Sequence, residues 1–335
     1  MRIKLTCCNT LVVLLVMGWL SGISFAAGAQ TQLTHAQEQV FQRHEDTLKG
    51  YAFNIVNAET ATQRFIADSS FIRSLVRALR EPNSFYYPFD SLETISRLYS
   101  PDSAFRIFTW QFKKDDYLYL QEGAIQVKQA DGSLKLFPLF DYSMFTDKPL
   151  DSVRTRRNWI GAIYYKMILK TWQGRKYYTL LGFDDFSPTS NKKWMEVLTF
   201  NEQGEPQFGG PYFSFTQDSL HKPIQYRFNI EYKKEATTRF NYDPDMDLVV
   251  FDHLVPEGDQ PQKKDTYVPD GDFEAFQWKS GHWVHVEKSL FTMKLKDGEA
   301  PMEAKMLDDQ GNINEKQLQE ATDKNLKKKP NNNNP

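Results

Sequence analysis

The sequence predicts an α+β fold in which N-terminal helices pack on a large antiparallel β-meander. Between about residues 30 and 100, apolar residues recur at three- and four-residue steps, which is the period of a helix. From residue 101 the period falls to two, and aromatic and β-branched residues become frequent. Short glycine turns separate the apolar runs, whereas parallel strands would need long crossovers. We therefore expect a sandwich or an open barrel. A propeller is less favoured, since the turns are irregularly spaced.

Three helices are predicted before the sheet. Thr34 and Gln37 form a possible capping box for the first helix, because each side chain can bond the other residue's amide. The second helix is expected to begin near Asp68. The third is expected to begin at Asp90 and to end before Pro101, since proline lacks the amide hydrogen that another turn needs.

The predicted β region contains about ten strands, by the number of apolar runs between turn signals. The main runs cover residues 105–112, 160–171, 176–183, 194–200, 212–215, 224–232 and 248–251. The turn signals are Asp131-Gly132, Gln173-Gly174, Gln203-Gly204, Asp270-Gly271 and Ser280-Gly281. No helix-length crossover interrupts them, so neighbouring strands are expected to be antiparallel.

Residues 1–29 are typical of a secretory signal peptide. Two basic residues come first, an apolar run follows over 11–20, and Ala27 and Ala29 provide an A-x-A cleavage site before Gln30. An uncleaved anchor is the alternative, but glycine and serine dilute the apolar run and no basic cluster follows it. We expect a periplasmic or extracellular protein without a stable membrane anchor after cleavage.

Composition narrows the classes of function. Cys7 and Cys8 both lie inside the predicted signal, so a mature chain would have no disulfide, no thiolate nucleophile and no cysteine-ligated metal. Removing the signal leaves 39 basic and 43 acidic residues, a net charge of −4. This balance gives no electrostatic reason to expect a nucleic-acid partner.

The chain divides into four predicted parts. Residues 1–29 are the signal peptide, 30–100 the helical region, 101–293 the antiparallel β domain and 294–335 a polar tail. The tail has few apolar residues and ends in lysine and asparagine runs, a composition that is typical of disorder.

Asp243, Asp245 and Asp247 are the best candidates for metal ligands, because alternate aspartates offer hard oxygens to Ca²⁺. An EF-hand loop starting at Asp243 would need glycine at position six and glutamate at position twelve. Leucines occupy both positions, so that motif fails. A polar hairpin turn is the favoured interpretation, and we predict no metal ligand and no cofactor.

Two pairs of residues that contain histidine suggest a zinc site or an acid–base pair at first sight. His282 and His285 are three apart, but on a strand they would face opposite sides and could not share a zinc ion. Asp252 and His253 are adjacent and would also diverge, so a satisfied histidine at a strand end is favoured over an acid–base pair. Ser190–Lys193 matches S-x-x-K by letters only, since its S-D-N and K-T-G partners are missing, and it is expected in a polar loop between strands.

Aromatic residues make up 14% of the chain, and six of the seven tryptophans lie in the predicted β domain. Burial between sheets is the favoured explanation, because aromatics suit strands and bury much area. Tyr164-Tyr165 and Tyr177-Tyr178 would place one ring on each sheet face, so both faces are expected to be covered. Exposed rings would instead provide stacking surfaces for a glycan.

Three segments of the β domain resemble a family of exported Bacteroidota proteins. They are Ser100–Trp110 (SPDSAFRIFTW), Gly161–Lys166 (GAIYYK) and Phe208–Phe213 (FGGPYF). The resemblance covers residues 90 to 290. It implies export, and it brings no activity, cofactor or catalytic residue to this chain.

The favoured function is a non-enzymatic, β-rich module of the cell envelope that binds a glycan or an envelope protein. The alternative is a hydrolase of envelope or extracellular polysaccharide that uses paired carboxylates. Its candidate acids are Asp184, Asp185, Asp243, Asp247 and Asp252. The residues alone do not single out a pair, so the catalytic residues are left unassigned.

Overall fold

The computed structural model describes residues 33–115, 118–219 and 222–286. The described residues begin with two helices, α1 (His35–Asn57) and α2 (Ala61–Arg80), and continue in strands. In the described residues the strands are β1 (Ser96–Tyr99), β2 (Phe105–Lys113), β3 (Tyr119–Val127), β4 (Lys135–Phe140), β5 (Arg154–Thr155), β6 (Ile163–Trp172), β7 (Arg175–Asp184), β8 (Ser190–Phe200), β9 (Pro206–Phe208), β10 (Phe213–Ser214), β11 (Arg227–Lys233), β12 (Phe240–Asp243), β13 (Leu248–Pro256), β14 (Tyr267–Lys279) and β15 (His282–Val286). The predicted α+β class is confirmed.

Capping boxes start both helices. The Thr34 side chain accepts from the amide of Gln37, and the Gln37 side chain accepts from the amide of Thr34, as predicted. Thr60 and Gln63 repeat this arrangement at the start of α2. The prediction that the second helix begins near Asp68 is therefore wrong by about two turns, because the capping box of Thr60 and Gln63 starts this helix earlier.

The predicted third helix is wrong. Residues 90–95 form turns, and β1 follows them as a strand that pairs antiparallel with β2 from Ser96↔Thr109 to Tyr99↔Arg106. The apolar positions Leu92 and Ile95 are buried as expected. A helix of ten residues gains little on its own, and here the segment gains a ladder of backbone hydrogen bonds instead.

Three open sheets follow the helices in the part of the chain that the structure describes. The first has the order β1-β2-β3-β4, and the third has the order β10-β15-β14-β13-β12. The second has the order β5-β9-β8-β7-β6, and β11 also pairs with β8. Neighbouring strands are antiparallel except β10 and β15, which are parallel.

The elements stack as four layers: the helices, then the first, second and third sheets. Odd and even residues of one strand face different layers, as strand geometry requires. Phe108 and Trp110 pack under the helices, whereas Phe105 packs against the second sheet. Tyr178 of the second sheet faces the first sheet, and Tyr177 faces the third. The prediction that both faces of this sheet are covered is confirmed for this tyrosine pair, whereas in the other pair Tyr164 is buried and Tyr165 is 37% exposed.

Most of the predicted turns join antiparallel neighbours. Gln173 and Gly174 close the β6–β7 hairpin with φ of 47° and 74°, the left-handed values of a type I′ turn. Asp270-Gly271 is an exception and corrects the prediction. It lies inside β14, where residues 270–272 bulge opposite His253. A bulge bends a strand without reversing it.

Arg227 fixes β11 beside β8. Its buried guanidinium donates to Glu196 Oε2 at 3.2 Å and to the carbonyl oxygen of Phe208 at 3.1 Å. The other oxygen of Glu196 accepts from the hydroxyl of Tyr164. Because both charges are buried and hydrogen-bonded, β11 is held at a fixed position against the second sheet.

The predicted signal peptide, both cysteines and the whole predicted tail lie outside the described residues. Within the described ranges, no helix is both long and apolar enough to cross a membrane.

Candidate ligand-binding site

A cavity of about 300 Å³ opens where β11 of the second sheet meets β13 and β14 of the third. We call it the His253 pocket. Its apolar wall includes Phe228, Ile230 and Phe251, which continue the core between the two sheets. Its polar lining consists of Lys222, Asn229, Glu231, Asp252, His253, Lys264, Tyr267 and Glu274.

A buried histidine lies behind the pocket. His285 Nδ1 is 2.8 Å from Asp218 Oδ1, and His285 Nε2 is 2.8 Å from Glu274 Oε2. Burial alone would lower the pKa of His285, but hydrogen bonds to Glu274 and Asp218 outweigh burial and raise this pKa above its ordinary value. Because both ring nitrogens face carboxylates, the geometry favours the doubly protonated ring, which donates to both acids.

Glu274 links this buried histidine to the one in the pocket. Its second oxygen, Oε1, lies 3.6 Å from His253 Nε2, which is beyond hydrogen-bond length. The other nitrogen of that ring, Nδ1, bonds to Asp270 Oδ2 at 2.8 Å. Asp270 reaches this position because the β14 bulge lies opposite His253. The result is a chain of alternating acids and imidazoles that runs from the interior to the pocket.

The other carboxylates of the pocket also have protein partners. Glu231 accepts from Ser190 Oγ at 2.8 Å and lies 3.4 Å from Lys192 Nζ. Asp252 accepts from the amide of Arg239 at 2.6 Å. With Glu274 bonded to His285, all three carboxylates that line the pocket are engaged.

The five acids proposed from the sequence do not converge. Asp252 lines the His253 pocket, whereas Asp185 forms an ion pair with Lys234. Asp243 caps its own turn by accepting from the amides of residues 245 and 246, and Asp247 pairs with Lys170. Of the three proposed calcium ligands, Asp243 is thus used by the turn itself and Asp247 by an ion pair with β6. No group of three or more histidines and acids in the described ranges could hold a metal ion.

The histidines behave as strand alternation predicts. His285 is buried, whereas the ring of His282 is bonded locally to the carbonyl oxygen of Ser280 at 3.0 Å. Asp252 and His253 likewise have separate partners. Ser190–Lys193 was expected in a loop, but it forms the start of β8, where pairing with β7 and β11 overrides its polar composition.

Most of the tryptophans are core residues, in agreement with the favoured interpretation that aromatic side chains are buried between sheets. Trp110, Trp159, Trp194 and Trp283 are buried, whereas Trp172 is 39% exposed. A strip of exposed side chains lies elsewhere and was not foreseen. It comprises Phe140, Tyr142, Met144 and Phe145, with Phe140 53% and Phe145 70% exposed. Two of its rings, Tyr142 and Phe145, have centroids 5.0 Å apart.

Two further acids have raised pKa values: Asp184 is buried between the first and second sheets, whereas Glu122 lies opposite Trp110 on the helix-facing side of the first sheet. Burial, together with the negative charge of Asp141, raises the pKa of Asp184 to about 7 despite the opposing charge of Lys192. Burial and the charges of Asp68 and Asp141 raise the pKa of Glu122 to about 8. Sequence reasoning named Asp184 but not Glu122, because the nearness of Glu122 to Asp68 and Asp141 depends on tertiary packing.

Sequence reasoning named His253 and His285 but missed Glu274. The Ser280-Gly281 turn contained the necessary signal. A two-residue turn there pairs Lys279 with His282 and therefore Phe276 with His285. Glu274 then lies diagonally across from His285 on the same sheet face. Asp218 and Lys222 come from a loop whose position no local pattern indicates.

The chain matches no protein family, no curated protein and no solved structure in comparisons with all three. The geometry of the described residues must therefore support the functional assignment.

Proposed function

We propose that the protein is an exported, non-enzymatic binding module of the cell envelope whose His253 pocket holds a sugar unit of a glycan. One observation carries the proposal: the three carboxylates that line the pocket are all bonded to protein partners. A glycoside hydrolase of the usual kind needs one carboxyl free to protonate the leaving group and a second free to act as nucleophile or base. An engaged set of acids supports recognition instead.

The pocket has the size and the mixed chemistry that a sugar ring requires. Its volume of about 300 Å³ is at the small end of ligand cavities. Phe228 and Phe251 offer an apolar wall to the C–H face of a ring. Asn229 lines the same space, and its side-chain amide makes no hydrogen bond to any residue that the structure describes. It can donate to one sugar hydroxyl and accept from another.

A glycan array probed with the purified chain and three variants tests this proposal. We expect the unmodified chain to bind at least one sugar class, and Asn229→Ala to weaken that binding tenfold or more. Asn241→Ala is the matched control, because Asn241 is an exposed asparagine on β12 outside the pocket. It should bind like the unmodified chain.

The third variant, Phe145→Ala, separates the pocket from the exposed ring strip. Loss of binding in Phe145→Ala but not in Asn229→Ala would place the ligand on the strip and refute the pocket assignment. Absence of binding to every sugar class would refute glycan recognition itself.

The hydrolase alternative is favoured by a different observation, the raised pKa values of Glu122 and Asp184. A carboxyl group with a pKa near 7 or 8 keeps a proton at neutral pH and can act as a general acid. The negative charge of Asp141 raises both values. Polysaccharide hydrolysis that is abolished in both Glu122→Gln and Asp184→Asn, while both variants remain folded, would favour this alternative over simple binding.

A further inference from the structure

We infer that the ligand of the His253 pocket is an anionic sugar, one whose ring carries a carboxylate or a sulfate group. The inference rests on the proposed function and specifies the class of glycan. It follows from which charged groups in the pocket already have partners and which do not.

Two lysines of the pocket have no acidic partner among the residues that the structure describes. Lys264 Nζ lies 3.9 Å from the ring centroid of Tyr267, and Lys222 Nζ lies 5.2 Å from that of Phe215. Neither ammonium group forms an ion pair in the described ranges. Each has three donors, and an aromatic face satisfies none of them as fully as an oxyanion does.

The acids of the pocket, in contrast, face cations or donors. Glu231 has Lys192 at 3.4 Å, and Glu274 has the ring of His285 at 2.8 Å. Asp252 is bonded to a backbone amide and also attracts the ammonium of Lys193. Lys222 and Lys264 are thus the charged side chains of the pocket for which the structure shows neither an ion pair nor a hydrogen bond in the described ranges. The complement of two unpaired lysines is a negative charge.

His253 adds a third polar contact for the same sugar. Its Nε2 has no hydrogen bond within the described ranges, since the nearest acid oxygen is 3.6 Å away. Its other nitrogen is bonded to Asp270, which fixes the orientation of the ring. Because Asp270 accepts from Nδ1–H, the neutral ring presents Nε2 as an acceptor, which can bind a hydroxyl hydrogen of the same sugar. The other hydroxyls of the sugar would be left for Asn229.

Calorimetric titration of the purified chain with matched small sugars tests the inference. The probes are galacturonate and its neutral counterpart galactose, glucuronate and glucose, and glucose 6-sulfate. We expect each charged sugar to bind at least tenfold more tightly than its neutral counterpart. The preference should weaken as salt rises from 50 to 500 mM, because ions screen exposed charges. Comparison of the uronates with the sulfate identifies which oxyanion is preferred.

Variants at the two lysines provide the decisive comparison. Lys222→Gln and Lys264→Gln should each reduce the preference for the charged sugar three- to tenfold, and the double variant should abolish it. Lys263→Gln is the matched control, because Lys263 is an exposed neighbour of Lys264 that does not line the pocket. It should leave the preference unchanged.

The possible failures are distinguishable. Equal affinity for charged and neutral sugars, or a preference that survives in the double variant, would overturn the anionic assignment and leave the binding function intact. If none of these sugars binds and the glycan array is also blank, both the inference and the proposed function fail. If the array shows binding to neutral glycans only, the inference alone fails.

Discussion

At the residue scale, His285 shows how the third sheet tolerates three charged groups at its inner face. The ring is bonded to Asp218 on one side and to Glu274 on the other, and all three side chains are largely withdrawn from solvent. Such a group stabilises the fold only while every member has its partner, because an unpaired buried charge is costly. The charge state of one histidine therefore affects both the stability of the fold and the position of Glu274 in the pocket.

We predict that His285→Gln lowers the free energy of unfolding by about 3 kcal/mol at pH 6, because two acids lose their shared cation. The pKa of His285 is raised in the folded state. Its stabilising contribution is therefore complete below the unfolded value of about 6.5 and is lost as pH rises through the folded value. The difference between the unmodified chain and the variant should shrink between pH 6 and pH 9 in urea unfolding experiments.

His282→Gln is the control for this prediction, since His282 lies on the same strand but is bonded only to a neighbouring carbonyl oxygen. It should be nearly neutral at both pH values. A difference between the unmodified chain and His285→Gln that does not change with pH would contradict a charged His285.

At the element scale, the two helices depend on paired capping boxes and on a shared apolar face. Phe41 and Leu48 of α1 and Phe71 and Leu75 of α2 pack together above Trp110 of the first sheet. The caps satisfy amides that would otherwise have no partner in the first turn of each helix. They therefore define where each helix begins.

We predict that Thr60→Ala costs about 1 kcal/mol of stability, the usual loss for an N-cap hydroxyl. Thr62→Ala provides the comparison: Thr62 is an exposed residue in the first turn of α2, outside the capping box. It should be neutral or slightly stabilising, because alanine favours helices. Thermal unfolding of both variants checks this, and equal midpoints would show that the cap contributes nothing.

The element scale also shows how far local patterns predict this fold. The switch from period 3.6 to period 2, the Thr34 capping box and the Gln173-Gly174 turn each predicted the observed structure, because each acts through neighbours in sequence. Two errors arose from tertiary pairing. β1 is a strand because β2 is available to pair with it, and Asp270-Gly271 is a bulge because β13 continues past it.

At the scale of the whole molecule, the second sheet is the shared middle layer. Leu180 and Leu181 are adjacent on β7 and both fully buried, yet they belong to different cores. Leu180 packs toward the first sheet and Leu181 toward the third. In four layers, both faces of this sheet must be covered, and large side chains are needed to fill both cores. This architecture explains the high aromatic content of the chain.

We predict that Leu180→Ala and Leu181→Ala each cost about 3 kcal/mol, the usual range for a fully buried leucine being ~2–5 kcal/mol. If the layers fold as one unit, each variant should lower the midpoint of a single transition. Calorimetry and intrinsic tryptophan fluorescence together check this. Two separate transitions, of which each variant moves only one, would show that the outer layers unfold independently.

The candidate site was only partly predictable at this scale. His253 and His285 stand out in the sequence, and strand alternation correctly separates His285 from His282. The pocket, however, exists only because β11 of the second sheet lies beside β13 and β14 of the third. Its unpaired lysines come from positions before β11 and before β14. No sequence period relates those elements, so neither the cavity nor its charge could be derived from the residues alone.

The most direct test of the central claim is a nuclear magnetic resonance titration that follows histidine ring signals while galacturonate is added to the purified chain. The His253 signals should shift in proportion to saturation, and the His282 signals should stay fixed, because only His253 lines the pocket. Saturable shifts at His282 or at the indole of Trp172, with none at His253, would contradict the assignment of the ligand to this pocket.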